Sequence, residues 1–177
     1  LVDLNATPIT AITNDGIQTD DRLHQVDTIV FATGFDAMTG ALTTIDIVGR
    51  DGSVLRDKWA DGTRSLLGVS VAGFPNLFTV TGPGSPSVMI NVVTAIEQHV
   101  EWINDCIGWL EGQGAKAIEA DANAENDWVD HVNEIAHATL FPQADSWYMG
   151  TNIPGKARVF MPYVGGLRRY RLHCETV

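Results

Sequence analysis

Gly82-Pro83-Gly84-Ser85-Pro86-Ser87 separates a short apolar run, Leu77–Thr81, from a long stretch with helical periodicity. A strand feeding a glycine-rich turn and then a helix N-terminus presents backbone N–H groups and partial positive charge. Such a junction suits a ligand carrying negative charge. Ser85 is a good N-cap and Pro86 suits the first helical position, so the helix is expected to begin there. The pattern is not a dinucleotide fingerprint, because Ser87 stands where the third glycine would be. No G-x-G-x-x-G occurs anywhere in the chain, so no phosphate-binding turn of that type is present. A capped core helix accounts for much of the same pattern.

Two other stretches have the residue types for ligand contact. Asp27–Asp36 reads DTIVFATGFD. Its apolar run Val26–Phe31 is too short for an ordinary helix and reads as a buried parallel strand that leaves through small residues. In open α/β sheets, ligands sit just past such strand ends. Asp145–Gly166 is rich in proline, glycine and asparagine around Trp147 and Tyr148. That composition describes an ordered loop, which commonly carries function. Five of the eleven basic residues (Lys156, Arg158, Arg168, Arg169 and Arg171) lie near the end of the chain. They suit either a phosphate-bearing ligand or structural ion pairs. The five histidines pair with no nucleophile, and Cys106 and Cys174 have no metal-ligand spacing. The sequence names no catalytic residue and no metal site.

The elements that position these stretches follow from periodicity. Ile9–Thr13 and Ile17–Thr19 flank Asn14-Asp15-Gly16, a hairpin turn sequence leading into a small β-meander. Ile45–Val48 and Ser53–Leu55 flank Arg50-Asp51-Gly52 in the same way. Met89, Val92/Val93, Ile96, Val100, Ile103, Ile107 and Leu110 recur at helical spacing and form the expected inward face of the long helix. A short strand is expected at Lys116–Glu119 and a further one at Arg158–Met161. A second helix is expected over 123–139, with Trp128, Val132, Ile135 and Ala136 inward, and a final one from Leu167 to Cys174.

Composition excludes several classes. The 177 residues carry a net charge of −11 from 22 acidic and 11 basic side chains. A nucleic-acid surface requires the opposite sign. Ten acids and one base between Glu97 and Glu134 read as a solvated helical face. No apolar run approaches the roughly 20 residues of a membrane span. Two lone cysteines point to a reducing, cytoplasmic location. The chain opens on Leu1 inside a strand pattern and stops at Val177 inside a helical one, and it reads as a piece of a longer protein.

The motifs occur together in an order that resembles Baeyer–Villiger flavin monooxygenases, closest to the phenylacetone, steroid and cyclohexanone monooxygenase group. They are D-x-x-V-x-A-T-G-F-D from Asp27, G-F-P-N-L-F-x-V-x-G-P-G-S-P-S from Gly73, I-E-Q-H-V-E-W-I from Ile96, S-W-Y-x-G-x-N-I-P-G-K from Ser146, and R-V-F-M-x-Y-V-G-G from Arg158. The resemblance implies an enzyme using NADPH and FAD to insert one oxygen atom of O2 beside a ketone carbonyl, by way of a flavin peroxide, to give an ester or lactone. It implies an α/β fold: the C-terminal fragment of a flavoprotein with two dinucleotide-binding domains, carrying β-meander and hairpins, a buried parallel strand and two to three helices. Residues 1–31 would end the NADPH-binding domain, 32–71 would form the linker and hairpin region, and 72–177 would complete the FAD-binding domain. Cofactor contacts carry over to the main chain at Val92, for the flavin, and to Trp147, for NADP. Ser87, Val88, Met89 and Met161 match residues lining the ketone pocket. The family's fingerprint F-x-G-x-x-x-H-x-x-x-W-P and its active-site arginine and aspartate have no counterpart here, so the chain alone is expected to be inactive. An N- or S-oxygenating flavin monooxygenase and a non-catalytic α/β binding module are the alternatives.

Overall fold

The computed structural model describes all of residues 1–177 and divides into two compact units, Leu1–Gly34 and Phe35–Val177. In the first unit, β1 (Ile9–Thr13), β2 (Gly16–Thr19) and β3 (Leu23–Gln25) form an antiparallel meander in the order β1-β2-β3. Ile12 faces Ile17 and Thr13 faces Gly16 across the Asn14-Asp15 turn, as the turn residues predict. Gly16 is obligatory: its φ is 146°, and a Cβ there would lie 2.1 Å from the His24 carbonyl oxygen.

Beyond β3 the expected parallel strand does not form. Val26–Phe31 has no strand partner, and Val30 and Phe31 are 81% and 70% exposed. A strand is defined by neighbours that take its N–H and C=O groups, and this chain places none beside it. The apolar run is therefore bare where the sequence pattern reads as buried.

The second unit is mainly helical. Two four-residue helices, α1 (Gly40–Thr43) and α2 (Leu55–Lys58), precede α3 (Val92–Gly112), α4 (Ala122–His137) and α5 (Leu167–Cys174). The three longer helices answer the sequence expectation, while the two short ones carry too few residues for a periodic signal. Asp121 caps α4 by accepting from Asn123 N (2.9 Å) and Ala124 N (3.1 Å). Trp128, Val132 and Ala136 of α4 are buried as expected. Trp128 and Val132 pack with Leu66, Leu67, Val69, Tyr163, Tyr170 and Cys174 in the largest apolar cluster, against which Trp102 and Ile103 of α3 lean, whereas Ala136 packs with Met149 and Phe160. Full burial of a large apolar side chain there contributes about 1.5–3 kcal/mol.

Three other expected strands are replaced by isolated contacts. Leu77–Thr81 is held by the Ser70–Phe78 bridge and by Thr79 N donating to Val69 O. Lys116–Glu119 is held by Asn76, whose N and Nδ2 donate to the carbonyls of Ile118 and Lys116. Arg158–Met161 runs past two loops without a regular ladder. The second hairpin survives as a single Val48–Val54 bridge.

Candidate functional site

The glycine-rich bend is built into its surroundings before any ligand is considered. Gly84 N donates to Met161 O (2.6 Å), Tyr163 N donates to Ser85 O (2.8 Å), and the Trp128 indole donates to Gly84 O (3.0 Å). A Cβ at Gly82 would lie 2.6 Å from Gly68 O, and one at Gly84 would lie 3.0 Å from Ser65 Oγ. These two glycines are therefore required by the chain's own packing. Their smallness serves this internal close approach.

Helix α3 also begins later than expected. Ser85 does not cap it, since its Oγ donates to Gly82 O at 2.7 Å. A 3-10 turn over Ser87–Met89 comes first, and Asn91 is the cap, with Oδ1 accepting from Val93 N (3.0 Å) and Thr94 N (3.4 Å). The helix-end charge is thus centred on Val92 rather than on Ser85. The Asn91 side chain takes the second and third helical N–H groups, which leaves the Val92 N–H as a first-turn donor available to a ligand. A flavin ring offers carbonyl acceptors for such a donor, so the residues present fit that group.

The substrate-lining candidates flank this helix start. Ser87 is buried, has φ 31°, and its Oγ has no hydrogen-bond partner. A left-handed serine with an orphaned buried hydroxyl is a costly arrangement of the kind found at ligand sites. Val88 is 37% exposed, whereas Met89 leans into the Ala136, Met149 and Phe160 cluster with Tyr148. Met161 is fully buried below the bend, its N donating to Tyr148 O at 3.0 Å. Trp147 is half-buried and lies against Tyr148, with ring centroids 4.1 Å apart and the planes tilted by 38°. Met89, Met161 and the Trp147-Tyr148 pair therefore share one neighbourhood, joined through Tyr148 and Phe160.

The inward face of α3 differs from the expected one. Ala95, Gln98 and His99 are buried, while Val92, Val93, Ile96, Val100 and Ile107 are exposed. His99 is the reason. Its Nδ1 accepts from Thr81 N (2.9 Å), and its Nε2 lies 2.9 Å from the Tyr170 hydroxyl, which donates to Leu67 O (2.6 Å). With Nδ1 accepting, the ring proton sits on Nε2 and is donated to Tyr170. Burial holds the His99 pKa down at about 4, so the ring is neutral. Sequence patterning counts polar residues as outward, and it cannot see a histidine whose every polar atom is satisfied inside.

The loop after α4 is tied down at both ends. Arg158 pairs with Asp145 and donates to Pro142 O (2.9 Å) and Ala144 O (3.2 Å). Lys156 Nζ lies 2.5 Å from Asp36 Oδ1 and 2.7 Å from Thr39 Oγ1, and Asn152 Nδ2 donates to Phe35 O (3.0 Å). Burial alone would raise the Asp36 carboxyl; hydrogen bonds from Lys156 and Thr39 outweigh it and hold it below the usual carboxylate range. Of the two roles the late basic residues allow, Lys156 and Arg158 take the ion-pairing one. The partner of Lys156, Asp36, was visible in the sequence only as a member of its motif.

Among known proteins, an acetone monooxygenase (methyl acetate-forming) of Gordonia sp. (strain TY-5) is 46% identical over 166 residues, 93% of this chain and 31% of the relative. Phenazine N-monooxygenase PhzNO1 of Lysobacter antibioticus is 44% identical, over all of this chain and 32% of its own length. The solved structure of an oxidized steroid monooxygenase bound to NADP superposes with a TM-score of 0.88 at 47% identity, covering 100% of this chain and 33% of that one. The chain matches the C-terminal third of Baeyer–Villiger monooxygenases. A solved OTEMO complex with FAD and NADP gives a TM-score of 0.91 at 38% identity, with 100% of this chain and 32% of that one covered. The chain thus spans about a third of the length of the monooxygenases it matches. No family model matches it. No helix is long and apolar enough to cross a membrane.

Proposed function

We propose that this chain is the C-terminal part of an NADPH- and FAD-dependent Baeyer–Villiger monooxygenase that inserts one oxygen atom of O2 next to a ketone carbonyl. The observation that carries the reading is likeness over the whole chain, at 47% identity, to a steroid monooxygenase bound to NADP. Residues 1–31 end the NADPH-binding domain in this reading, 32–71 form the linker, and 72–177 belong to the FAD-binding domain. The exposed apolar row of Val92, Val93, Ile96 and Val100 on α3 supports it, because such a stripe is unusual on a free surface. That row, with the bare Val26–Phe31 run, is what a part separated from its whole would show. The two free cysteines accord with a cytoplasmic enzyme.

The flavin supplies the oxygen-transfer chemistry when bound, and this chain supplies orientation and charge. Val92 offers its backbone N–H to the flavin ring at the positive end of α3. Trp147 presents an aromatic face to the nicotinamide dinucleotide. Ser87, Val88, Met89 and Met161 line the ketone pocket, with the Ser87 hydroxyl as its polar member. The general chemistry resides in residues contributed by the remainder of the protein.

Expressing the longer open frame that encodes this chain tests the reading. A yellow protein that consumes NADPH and O2 and turns a ketone into an ester is the expected result; one that retains no flavin refutes it. A second reading, N-oxygenation, is favoured by the likeness to a phenazine N-monooxygenase over the full chain. A panel of cyclic and aryl ketones beside aromatic N-heterocycles separates the two by product. In the same enzyme, Trp147→Ala is expected to raise the KM for NADPH about tenfold and to divert reducing equivalents to hydrogen peroxide, with flavin content unchanged. Unaltered affinity and coupling would reduce Trp147 to a loop anchor for Tyr148.

A further inference from the structure

Two motifs 120 residues apart meet in one ion pair: Lys156 of N-I-P-G-K against Asp36 of A-T-G-F-D. The two side chains are only 16% and 24% exposed, so the pair is shielded from water and salt more than a surface bridge would be. It belongs to a small network. Thr39 Oγ1 lies 2.9 Å from both Asp36 carboxylate oxygens and 2.7 Å from Lys156 Nζ, so its hydroxyl donates to Asp36 and accepts from Lys156. Asn152 adds its bond to Phe35 O.

The geometry of the loop gives this network its consequence. Between Trp147 and Lys156 there is no regular element beyond the 3-10 turn at Trp147–Met149, and Gly150 and Gly155 have φ of 72° and 78°. Its internal bonds are short-range turns, among them Thr151 N to Ser146 O (3.3 Å), Ile153 N to Gly150 O (3.2 Å) and Lys156 N to Ile153 O (3.2 Å), with Thr151 Oγ1 to Ser146 O (3.0 Å), and these shape the loop without attaching it to the Phe35–Thr39 turn. Arg158 clamps the base of the loop to Asp145, while Asn152 and Lys156 are what bind its far side to the Phe35–Thr39 turn.

We infer that Asp36 and Lys156 are positioning residues, whose ion pair holds the loop carrying Trp147 against the Phe35–Thr39 turn and so presents Trp147 to the nicotinamide dinucleotide. The inference rests on the function proposed above. Holding the loop in one arrangement before the dinucleotide arrives removes an ordering cost from binding. Loss of the pair would return that cost to the NADPH step and leave the flavin contact at Val92, on another element, untouched.

The test is a double-mutant cycle in the full-length flavoenzyme with Asp36→Asn, Lys156→Met and both together. Each single variant is expected to raise the KM for NADPH about five- to tenfold and to increase the share of NADPH oxidation that ends as hydrogen peroxide. Flavin content and kcat at saturating NADPH should match the parent. The double variant should be no worse than the worse single, because both remove the same interaction. Thr39→Val, which deletes only the bridging hydroxyl, should shift KM in the same direction by less, and it serves if the charge variants fold poorly. Singles that bind NADPH like the parent overturn the inference, as do strictly additive effects. So does a rise in KM that only tracks loss of flavin and thermal stability. A parent enzyme that neither holds flavin nor oxidises NADPH overturns the functional reading itself, before the pair is tested.

Discussion

Replacing Glu125 by alanine is expected to destabilise the region around α4 by about 3–5 kcal/mol, because it leaves the part-buried Lys58 ammonium without its partner and strips the buried Ala72 N–H of its acceptor. Glu125 is 2% exposed in the first turn of α4. Its Oε2 receives Lys58 Nζ at 2.8 Å and its Oε1 receives Ala72 N at 2.9 Å. Lys58 Nζ also donates to Ala72 O at 2.6 Å. The pair thus satisfies both polar groups of one buried peptide residue and joins α2, α4 and the Val71–Phe74 segment. Glu119 Oε1 takes the next amide, Gly73 N, at 2.7 Å. Glu125→Gln keeps an acceptor for Ala72 but turns an amide towards the ammonium, so a smaller loss is expected. Pairing Lys58→Met with Glu125→Leu removes both charges yet still orphans the Ala72 N–H and C=O. It should therefore recover only part of the loss. Hydrogen exchange of the peptide spanning Ala72 and Gly73, followed beside the unfolding midpoint, reads this locally. Unchanged protection in Glu125→Ala would show that the pair contributes nothing beyond a surface bridge.

Glu125 also marks where patterning stops being informative. Charge density alone places it with the other acids between Glu97 and Glu134 on a solvated face, and for most of that stretch this reading suffices. Short-range signals proved legible: Asn14-Asp15-Gly16 makes its hairpin, and the Trp128, Val132 and Ala136 row of α4 is buried. What failed depended on partners remote in sequence. Val26–Phe31 has strand composition and no neighbour to pair with. Ser85 and Pro86 are a good helix start, yet the ties of Gly84 and Ser85 to Met161 and Tyr163 hold that backbone in a turn and postpone α3 to Asn91. The apolar row of α3 has the right period but the wrong face, because the buried row is set by His99. The candidate site was legible only through motif order, and the structure adds that its loop is tied to Asp36 through Lys156.

Lowering the pH from about 6.5 to about 4 should cost this unit about 3 kcal/mol through His99 alone, the equivalent of its pKa depression from 6.5 to about 4. The folded state keeps the ring neutral, while the unfolded chain protonates it at the ordinary value. Between the two pKa values the unfolded state binds more protons, so the contribution is fully present above 6.5 and is lost as pH falls towards 4. Proton uptake is opposed by geometry as well as by burial. A proton on Nδ1 would face the Thr81 N–H, and that bond would be lost. The backbone at both ends of the chain of bonds is strained, with Thr81 at φ 56° and Leu67 at φ 59°, left-handed values that a β-branched residue in particular avoids. The bonds from Thr81 N and to Leu67 O thus hold two unfavourable turns in place. His173 acts in the same direction, since burial and the neighbouring His131 both lower its pKa. His99→Asn leaves an oxygen near the Nδ1 position for Thr81 and removes the titration. Its unfolding midpoint should start lower at pH 7 and fall less steeply to pH 4, with the residual slope owed partly to His173. Tyr170→Phe keeps the titrating ring but deletes the bridge, and should lose about 1–3 kcal/mol from the unpaired Nε2–H and Leu67 carbonyl. Parallel pH profiles for the parent and His99→Asn would show that His99 protonates as freely in the folded protein as in the unfolded one, and the buried neutral network would then be wrong.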